Sequence, residues 1–246
     1  MTFPIARLGL VALVLFLTFH LAAAQNFGGF RPALIGNGPK SLVNLIDTSR
    51  LMREGQADAV VMFDAAVGDY QGGSVLNFAC YGDPNSKPLK NEVSKQLQRC
   101  DFIPALVHGK PTDVYFRGTV IFAVRDGRPR LQVFANQDRN ELARGSDYIQ
   151  PQMILGTDDW KEAKEYLGVL THHSKKGIAV VSLTLDAEGK RKEMHLVRED
   201  PKGLNLGAAA LKTMSTAAFV PAFREGHPVA ATFEMLDYMY GYRSHR

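Results

Sequence analysis

An internal repeat constrains the fold of this chain more than any other feature of its sequence. Segments 101–111 and 218–228 share the pattern Phe-x-Pro-Ala-x-x-x-Gly-x-Pro at an offset of 117 residues. Further identities at this offset are Asp69 with Asp186, Gly72 with Gly189, Asp83-Pro84 with Asp200-Pro201, Lys95 with Lys212 and Phe116 with Phe233. Most of these residues are Gly, Pro and Asp, which turns select through their backbone preferences. The repeat therefore predicts two copies of one small domain.

Hydrophobic periodicity predicts the same order of elements in each copy: strand, strand, helix, strand. Apolar residues alternate with others over 179–185, as in a half-buried strand, and Asn205 is expected to cap the helix that follows. The expected inner stripe is Leu89, Val93, Leu97 and Cys100 in the first helix, and Ala208, Leu211, Ser215 and Ala218 in the second. The predicted fold class is α+β, with two small domains that each pack an antiparallel sheet on one main helix.

Composition and turn signals divide the chain into six parts. The predicted parts are a signal peptide at 1–24, a partly mobile N-terminal segment at 25–56, a first domain at 57–135, a linker at 136–156, a second domain at 157–241 and a tail at 242–246. The linker prediction rests on its polar character and on Gly145 and Pro151.

The first 24 residues have the organisation of a secretory signal peptide. Arg7 precedes an apolar run over 8–21, and three alanines stand before Gln25 at the expected cleavage point. The competing interpretation is an uncleaved membrane anchor, although the run is shorter than the roughly 20 apolar residues that a spanning helix needs. Cleavage predicts a periplasmic or secreted protein with no stable membrane insertion.

Export changes the interpretation of the two cysteines. Cys80 and Cys100 are the only cysteines in the chain, and an oxidising compartment favours a disulfide between them, worth about 3 kcal/mol for a loop of this size. The alternative is that both are small buried apolar residues.

Charge and motifs exclude several classes of function. A net charge of +4, from 29 basic and 25 acidic residues, is too small and dispersed to predict nucleic-acid binding. No nucleophile elbow, phosphate loop or dinucleotide fingerprint is present. The adjacent pair His172-His173 lacks the spacing of a helical metal site. We therefore expect a non-enzymatic protein without metal or cofactor.

The second copy resembles the TonB C-terminal domain family of periplasmic proteins. The resemblance rests on Asp186-x-x-Gly189, Leu204-Asn205-x-x-Ala208-Ala209, Phe219-x-Pro221-Ala222 and Gly226-x-Pro228, and the first copy is similar but diverged. It implies that the repeated Phe, Pro and Gly residues determine the fold and do not catalyse a reaction. These residues are Phe102, Pro104, Gly109, Pro111, Phe219, Pro221, Gly226 and Pro228.

The resemblance also implies a way of binding. In the family, an open sheet edge accepts a short peptide from an outer-membrane receptor by strand addition. The expected edges here contain Asp113, Tyr115, Arg117 and Thr119 in the first copy, and Thr232, Glu234 and Tyr238 in the second.

These features predict an exported adaptor that binds a peptide or protein of the cell envelope, such as an outer-membrane protein. Two alternatives stay open at this stage. The two copies could pair edge to edge within the chain, or the N-terminal helix could be retained in a membrane-anchored, TonB-type energy transducer for outer-membrane transport.

Overall fold

A computed structural model describes residues 29–68, 72–145, 147–156 and 177–239, with the backbone alone for 237–239. The predicted signal peptide, the tail at 242–246 and the start of the second domain at 157–176 lie outside these residues. The described chain is an α+β protein built mainly from antiparallel sheets. In the same ranges, no helix has both the length and the apolar character that a membrane span requires.

The first half of the chain carries most of the strands. Its elements are β1 (Phe30–Arg31), α1 (Leu42–Leu45), α2 (Thr48–Arg53), β2 (Ala59–Val67), β3 (Val75–Tyr81), α3 (Lys87–Leu97), β4 (Ala105–Val107), β5 (Lys110–Thr112), β6 (Val114–Arg125) and β7 (Arg128–Phe134). The second half follows with α4 (Arg139–Arg144), β8 (Gln152–Ile154), β9 (Gly177–Leu185), β10 (Arg191–Asp200), α5 (Leu206–Thr216), β11 (Phe219–Val220), β12 (Ala222–Arg224), β13 (His227–Val229) and β14 (Ala231–Met239).

Both halves place three strands in the same spatial order around one helix. The first has the order β3-β2-β6 with α3 between β3 and β6 along the chain, and the second has β10-β9-β14 with α5 in the same place. The buried helix positions correspond at the repeat offset: Leu89 and Leu206, Glu92 and Ala209, Val93 and Ala210, Gln96 and Thr213, Leu97 and Met214.

The expected inner stripe is confirmed for α3 and wrong for α5. All four expected residues of the first helix are buried. In α5, Ala208 and Ser215 are exposed, and Ala209 and Ala210 are buried instead. Alanine and serine carry a weak hydrophobic signal, so the periodicity of this helix is ambiguous in the sequence. The prediction therefore chose the wrong face of α5.

The N-terminal segment belongs to the core of the first half from Gly29 onward. Strand β1 pairs with β4, and Leu42 and Leu51 are each 1% exposed within the main hydrophobic cluster. The core of the first half therefore begins well before the predicted domain boundary at residue 57.

The predicted linker at 136–156 forms a folded bridge between the halves. Strand β8 pairs with β6 on one side and with β11 on the other, which gives a sheet of order β11-β8-β6-β2-β3. From β8 the buried Gln152 side chain forms two hydrogen bonds with the backbone of Ala33, at 2.7 and 2.9 Å. Val220 and Phe223 of the second half lie in the first hydrophobic cluster, so the two halves share packing.

Candidate binding cleft

Strand β14 presents the edge that the sequence predicts for the second copy. It pairs with β9 from Ala231 to Met239, and no other strand of the described chain pairs with its opposite side. Arg117 donates from Nη1 to the carbonyl of Glu234 at 2.6 Å, so this carbonyl points away from β9. Backbone groups alternate in direction along an antiparallel strand. The outward groups therefore belong to Thr232, Glu234, Leu236 and Tyr238.

The corresponding edge in the first half is occupied by the chain itself, so the prediction of an open edge at β6 is wrong. Strand β7 pairs with Thr119–Arg125, and β8 pairs with Val114 and Tyr115. At the start of the strand, the carbonyl of Asp113 accepts from Leu155 N at 2.8 Å. Thr119 is fully buried, and its hydroxyl donates to Asn136 O at 2.7 Å. The repeat could not reveal this because β7 and β8 have no counterpart at its offset.

A cleft of about 540 Å³ lies beside β14, between the two halves of the molecule. Its walls are formed by Met62 of β2, Arg117 of β6, segment 137–140, Gln150, and residues Ser182 and 232–234 of the second sheet. Three residues predicted for separate edges (Arg117, Thr232 and Glu234) thus meet at one site. Tyr238 lies further along β14, and its side chain is outside the described part of the structure.

Arg117 is held in place by groups from both halves and from the bridge. Its Nε donates to Asp64 at 3.2 Å, and its Nη2 donates to Gln137 Oε1 at 2.6 Å. Asp64 is 2% exposed and also accepts from Gln137 Nε2 at 2.9 Å. Because a buried carboxylate needs a charged or hydrogen-bonded partner, this network fixes the guanidinium at the floor of the cleft.

Gln150 supplies an unused donor at the same site. It is 4% exposed, and its Oε1 accepts from Gln137 N at 2.9 Å, which defines the orientation of its amide. Its Nε2 is buried and has no hydrogen-bond partner. A buried donor without a partner is costly.

Sequence reasoning missed the bridge side of the cleft, which consists of segment 137–140 and Gln150. A local signal was available: Asp138 accepts from Asn140 N and Glu141 N at the start of α4, and Gly145 ends the helix at a φ of 62°. Both residues are typical helix caps. The helix is six residues long, which is why its hydrophobic pattern gave no prediction.

The repeated Phe and Gly residues have the structural roles expected of them. Phe102 and Phe219 are 2% and 3% exposed, and each forms an edge-to-face pair with the repeat-related Phe116 or Phe233, with ring centroids 4.9 and 5.9 Å apart. Gly109 and Gly226 both have a φ of 77°, each in a two-residue turn after a residue that also has positive φ. Such turns favour glycine.

The four repeated prolines lie along the same connections. Pro111 pairs with Leu106 in the β4–β5 hairpin, and Pro228 pairs with Phe223 in the β12–β13 hairpin. The carbonyl of Pro104 accepts from Arg31 Nη2 at 2.8 Å. Pro221 links β11 to β12. These positions are structural and lie outside the cleft walls.

The expected disulfide is absent, because Cys80 and Cys100 are both free thiols. Cys80 lies on β3, where its thiol contacts Ser94, whereas Cys100 follows the end of α3 and donates to Leu97 O at 3.6 Å. Burial raises the pKa of Cys80, and it raises the pKa of Cys100 to about 12.

The described residues contain no group of three or more His, Cys, Asp or Glu side chains arranged to hold a metal ion. The cleft offers hydrogen-bond donors and an open strand edge, which are suited to binding a peptide backbone or a polar group. Comparison of the chain with protein-family models, curated proteins and solved structures finds no match.

Proposed function

We propose that the protein is an exported adaptor that binds an extended peptide segment of a cell-envelope protein along β14. The observation that carries the proposal is the contrast between the two halves. Strands β7 and β8 occupy the edge of β6, while no strand of the described chain occupies the repeat-related edge of β14. A strand edge offers unpaired N–H and C=O groups to an added strand.

The cleft supplies selectivity in this proposal. An added strand would hydrogen-bond to the outward groups of β14, and its side chains would point alternately toward and away from the cleft. Arg117 already donates to Glu234 O, so a peptide strand added along β14 must leave room for this guanidinium beside Glu234.

The resemblance to the TonB C-terminal domain family supports the same proposal, since strand addition is the family's way of binding. In this interpretation the tandem arrangement is two TonB-like domains, of which the first has a covered edge and serves as a scaffold. The proposed periplasmic or secreted location rests on the sequence pattern of residues 1–24.

The test compares two substitutions at one position. Glu234→Pro removes an N–H that points outward and leaves the ladder with β9 intact, as is tolerated on edge strands. Glu234→Ala removes the side chain and keeps the N–H. Dodecapeptides selected against the mature protein from a random displayed library serve as ligands, and calorimetry measures their affinity.

We expect Glu234→Pro to weaken binding by about two- to twelvefold, because one main-chain hydrogen bond contributes about 0.5–1.5 kcal/mol. Glu234→Ala should bind within about twofold of the parent protein if the backbone carries the interaction. Bound peptide should also slow amide hydrogen exchange over 231–239. Equal affinities for all three proteins, or failure to select any peptide, would refute strand addition.

A further inference from the structure

Helix α3 and the turn after it present only positive charge on their exposed side. Lys87, Lys95 and Arg99 are exposed and Lys90 is half-buried, whereas Glu92 is the only acidic residue between positions 87 and 99 and is 4% exposed. None of the four basic side chains forms an ion pair with another residue of the described chain. The outer side of this helix therefore carries cations that no described acidic group neutralises.

The acidic residues next to α3 have partners of their own. Glu92 Oε2 lies 3.5 Å from Arg50 Nη1 of α2. After the helix, Asp101 pairs with Lys40 at 3.2 Å. Because these contacts occupy the acids within the chain, the cations on the outer side of α3 remain to attract an anionic partner.

Two of these cations oppose the dipole of the helix that carries them. Lys87 and Lys90 lie in the first turn of α3, which contains no acidic residue. The helix dipole favours negative charge at this end, and it favours positive charge only near the other end, where Lys95 lies. A local choice that costs stability is expected at functional sites, which favours a functional role for this charge.

The second half offers an internal comparison, because α5 has the same place in its sheet. The residues that correspond to the four cations are Leu204, Gly207, Lys212 and Thr216, so one of the four is basic. The charge on α3 is therefore not a requirement of the repeated fold.

An apolar pocket adjoins the C-terminal end of α3. Its volume is about 590 Å³, and it is lined by residues 35–41 and by Asp101, Phe102 and Ile103. Ile103 is 39% exposed. A soluble polyanion would use the cations alone, whereas the surface of an anionic bilayer offers phosphate groups together with an apolar layer beneath them. The combination of cations and exposed apolar surface favours a bilayer as the partner.

We propose that this surface docks the protein on a bilayer that contains anionic phospholipid. The surface is defined by Lys87, Lys90, Lys95, Arg99 and Ile103. The cations contact the phosphate groups of the lipids, and Ile103 enters the interfacial layer beside them. Binding of this kind is peripheral and reversible, because it rests on surface charge and on one apolar side chain.

Docking through α3 leaves the binding cleft accessible. Leu89 and Val93 of α3 share a hydrophobic cluster with Phe63 of β2. Asp64 and Arg117 are paired across β2 and β6, and they lie on the opposite face of this sheet because side chains alternate along a strand. The bilayer and the cleft are therefore on opposite sides of the first sheet. This inference does not depend on the proposed function, and its variants lie outside the cleft.

Sedimentation of the mature chain with vesicles tests the proposal. Vesicles of phosphatidylcholine alone are compared with vesicles of the same size that also contain phosphatidylglycerol. We expect binding only to the anionic vesicles, and we expect it to weaken as the salt concentration rises. Lys87→Gln/Lys95→Gln should lower the partition coefficient by about 25-fold, since each cation near an anionic surface contributes about fivefold.

Lys190→Gln/Lys202→Gln is the matched control, since it removes the same charge from two exposed positions beside β10. It should bind anionic vesicles within about twofold of the parent protein, and far-UV circular dichroism should show that all variants fold. Ile103→Ala should weaken binding by about threefold without changing its salt dependence.

A thymidylate oligonucleotide, matched in phosphate concentration to the accessible lipid, distinguishes a bilayer from a soluble polyanion. It should not displace the protein from anionic vesicles. Displacement by the oligonucleotide, or no binding to anionic vesicles, would overturn the proposal. So would an equal loss of binding in the control variant, or an Ile103→Ala variant that binds like the parent.

Discussion

At the residue scale, α5 is stabilised by charges from β10 and not by its own cap. Asn205 has a φ of 59° and forms no side-chain cap hydrogen bond, so the capping role expected of it is wrong. Glu199 binds the helix start and Arg191 binds the last carbonyls, both from the neighbouring strand. Each charge has the sign that the helix dipole favours at its end.

Glu199 should make the stability of the protein dependent on pH in the acid range. Hydrogen bonds from Gly207 N and Gly203 N lower the pKa of Glu199 below its ordinary value of 4.5. A group with a lowered folded pKa contributes stability above its unfolded pKa and loses it as the pH falls through the folded pKa. Glu199→Gln should therefore have a lower Tm than the parent at pH 7, and the difference should shrink below pH 4.5.

Thermal unfolding followed by circular dichroism at several pH values measures this effect. Glu188→Gln is the control, because its side chain accepts no hydrogen bond in the described chain. A Glu199→Gln deficit of the same size at acid and neutral pH would show that the charge is not responsible.

At the element scale, the two sheets fill the same space with different side chains. In the first sheet Phe63 lies opposite Gly118, and in the second Val181 lies opposite Met235. A Cβ at Gly118 would lie 2.5 Å from the Phe63 ring and 2.9 Å from Phe134 O, so the glycine is needed for both the ring and the neighbouring backbone to fit. A larger residue thus faces a smaller one in each half. The larger residue lies on the central strand in the first sheet and on the edge strand β14 in the second.

Placing the residue types of the second sheet, Val and Met, at positions 63 and 118 should show that the sizes of these two side chains compensate for each other. Phe63→Val leaves a cavity and should cost about 2–4 kcal/mol, and Gly118→Met overpacks the ring and should cost about 1–3 kcal/mol or more. The double variant should be more stable than the sum of the two costs implies, by about 1–3 kcal/mol. Urea unfolding of the four proteins gives this coupling, and strictly additive costs would contradict it.

At the scale of the whole molecule, α4 joins the bridge to the second half through one ion pair. Glu141 accepts from Arg224 Nη1 and Nη2 at 2.9 Å each, and the guanidinium lies 5.1 Å from the ring centroid of Tyr148. Burial, together with Glu141 and Asp138, raises the pKa of Tyr148 to about 12. The backbones of Ile149 and Phe223 exchange two hydrogen bonds of 2.9 Å beside this pair.

Breaking the pair should reduce the cooperativity between the halves. We expect Glu141→Gln to destabilise the protein by about 1–2 kcal/mol through loss of charge-assisted bonds, and to broaden or split its calorimetric transition. Arg144→Ala is the matched control, since Arg144 also contacts Glu141, at 3.1 Å, but lies within α4. If the control broadens the transition as much as Glu141→Gln, the bridge is not what couples the halves.

The repeat predicted the larger part of each half, but an ungapped offset could not follow it everywhere. The helices correspond at an offset of 117 residues, where Leu89 and Leu206 are also identical. The burial patterns of β2 and β9 agree at an offset of 118 residues instead. The glycine that contacts Phe102 is Gly73, not Gly72, and it corresponds to Gly189 beside Phe219. The first hairpin is thus two residues longer than the second.

The strand, strand, helix, strand order of each half and the turn glycines could be predicted from the sequence, because they depend on periodicity and on local backbone preference. Which strand edges stay open depends on tertiary contacts that these local signals do not encode. Whether β6 can accept a partner depends on where β7 and β8 pair, and the local pattern of a strand does not state which edge it will cover. The cleft has the same origin, because it forms where a polar bridge brings residues from distant parts of the chain together.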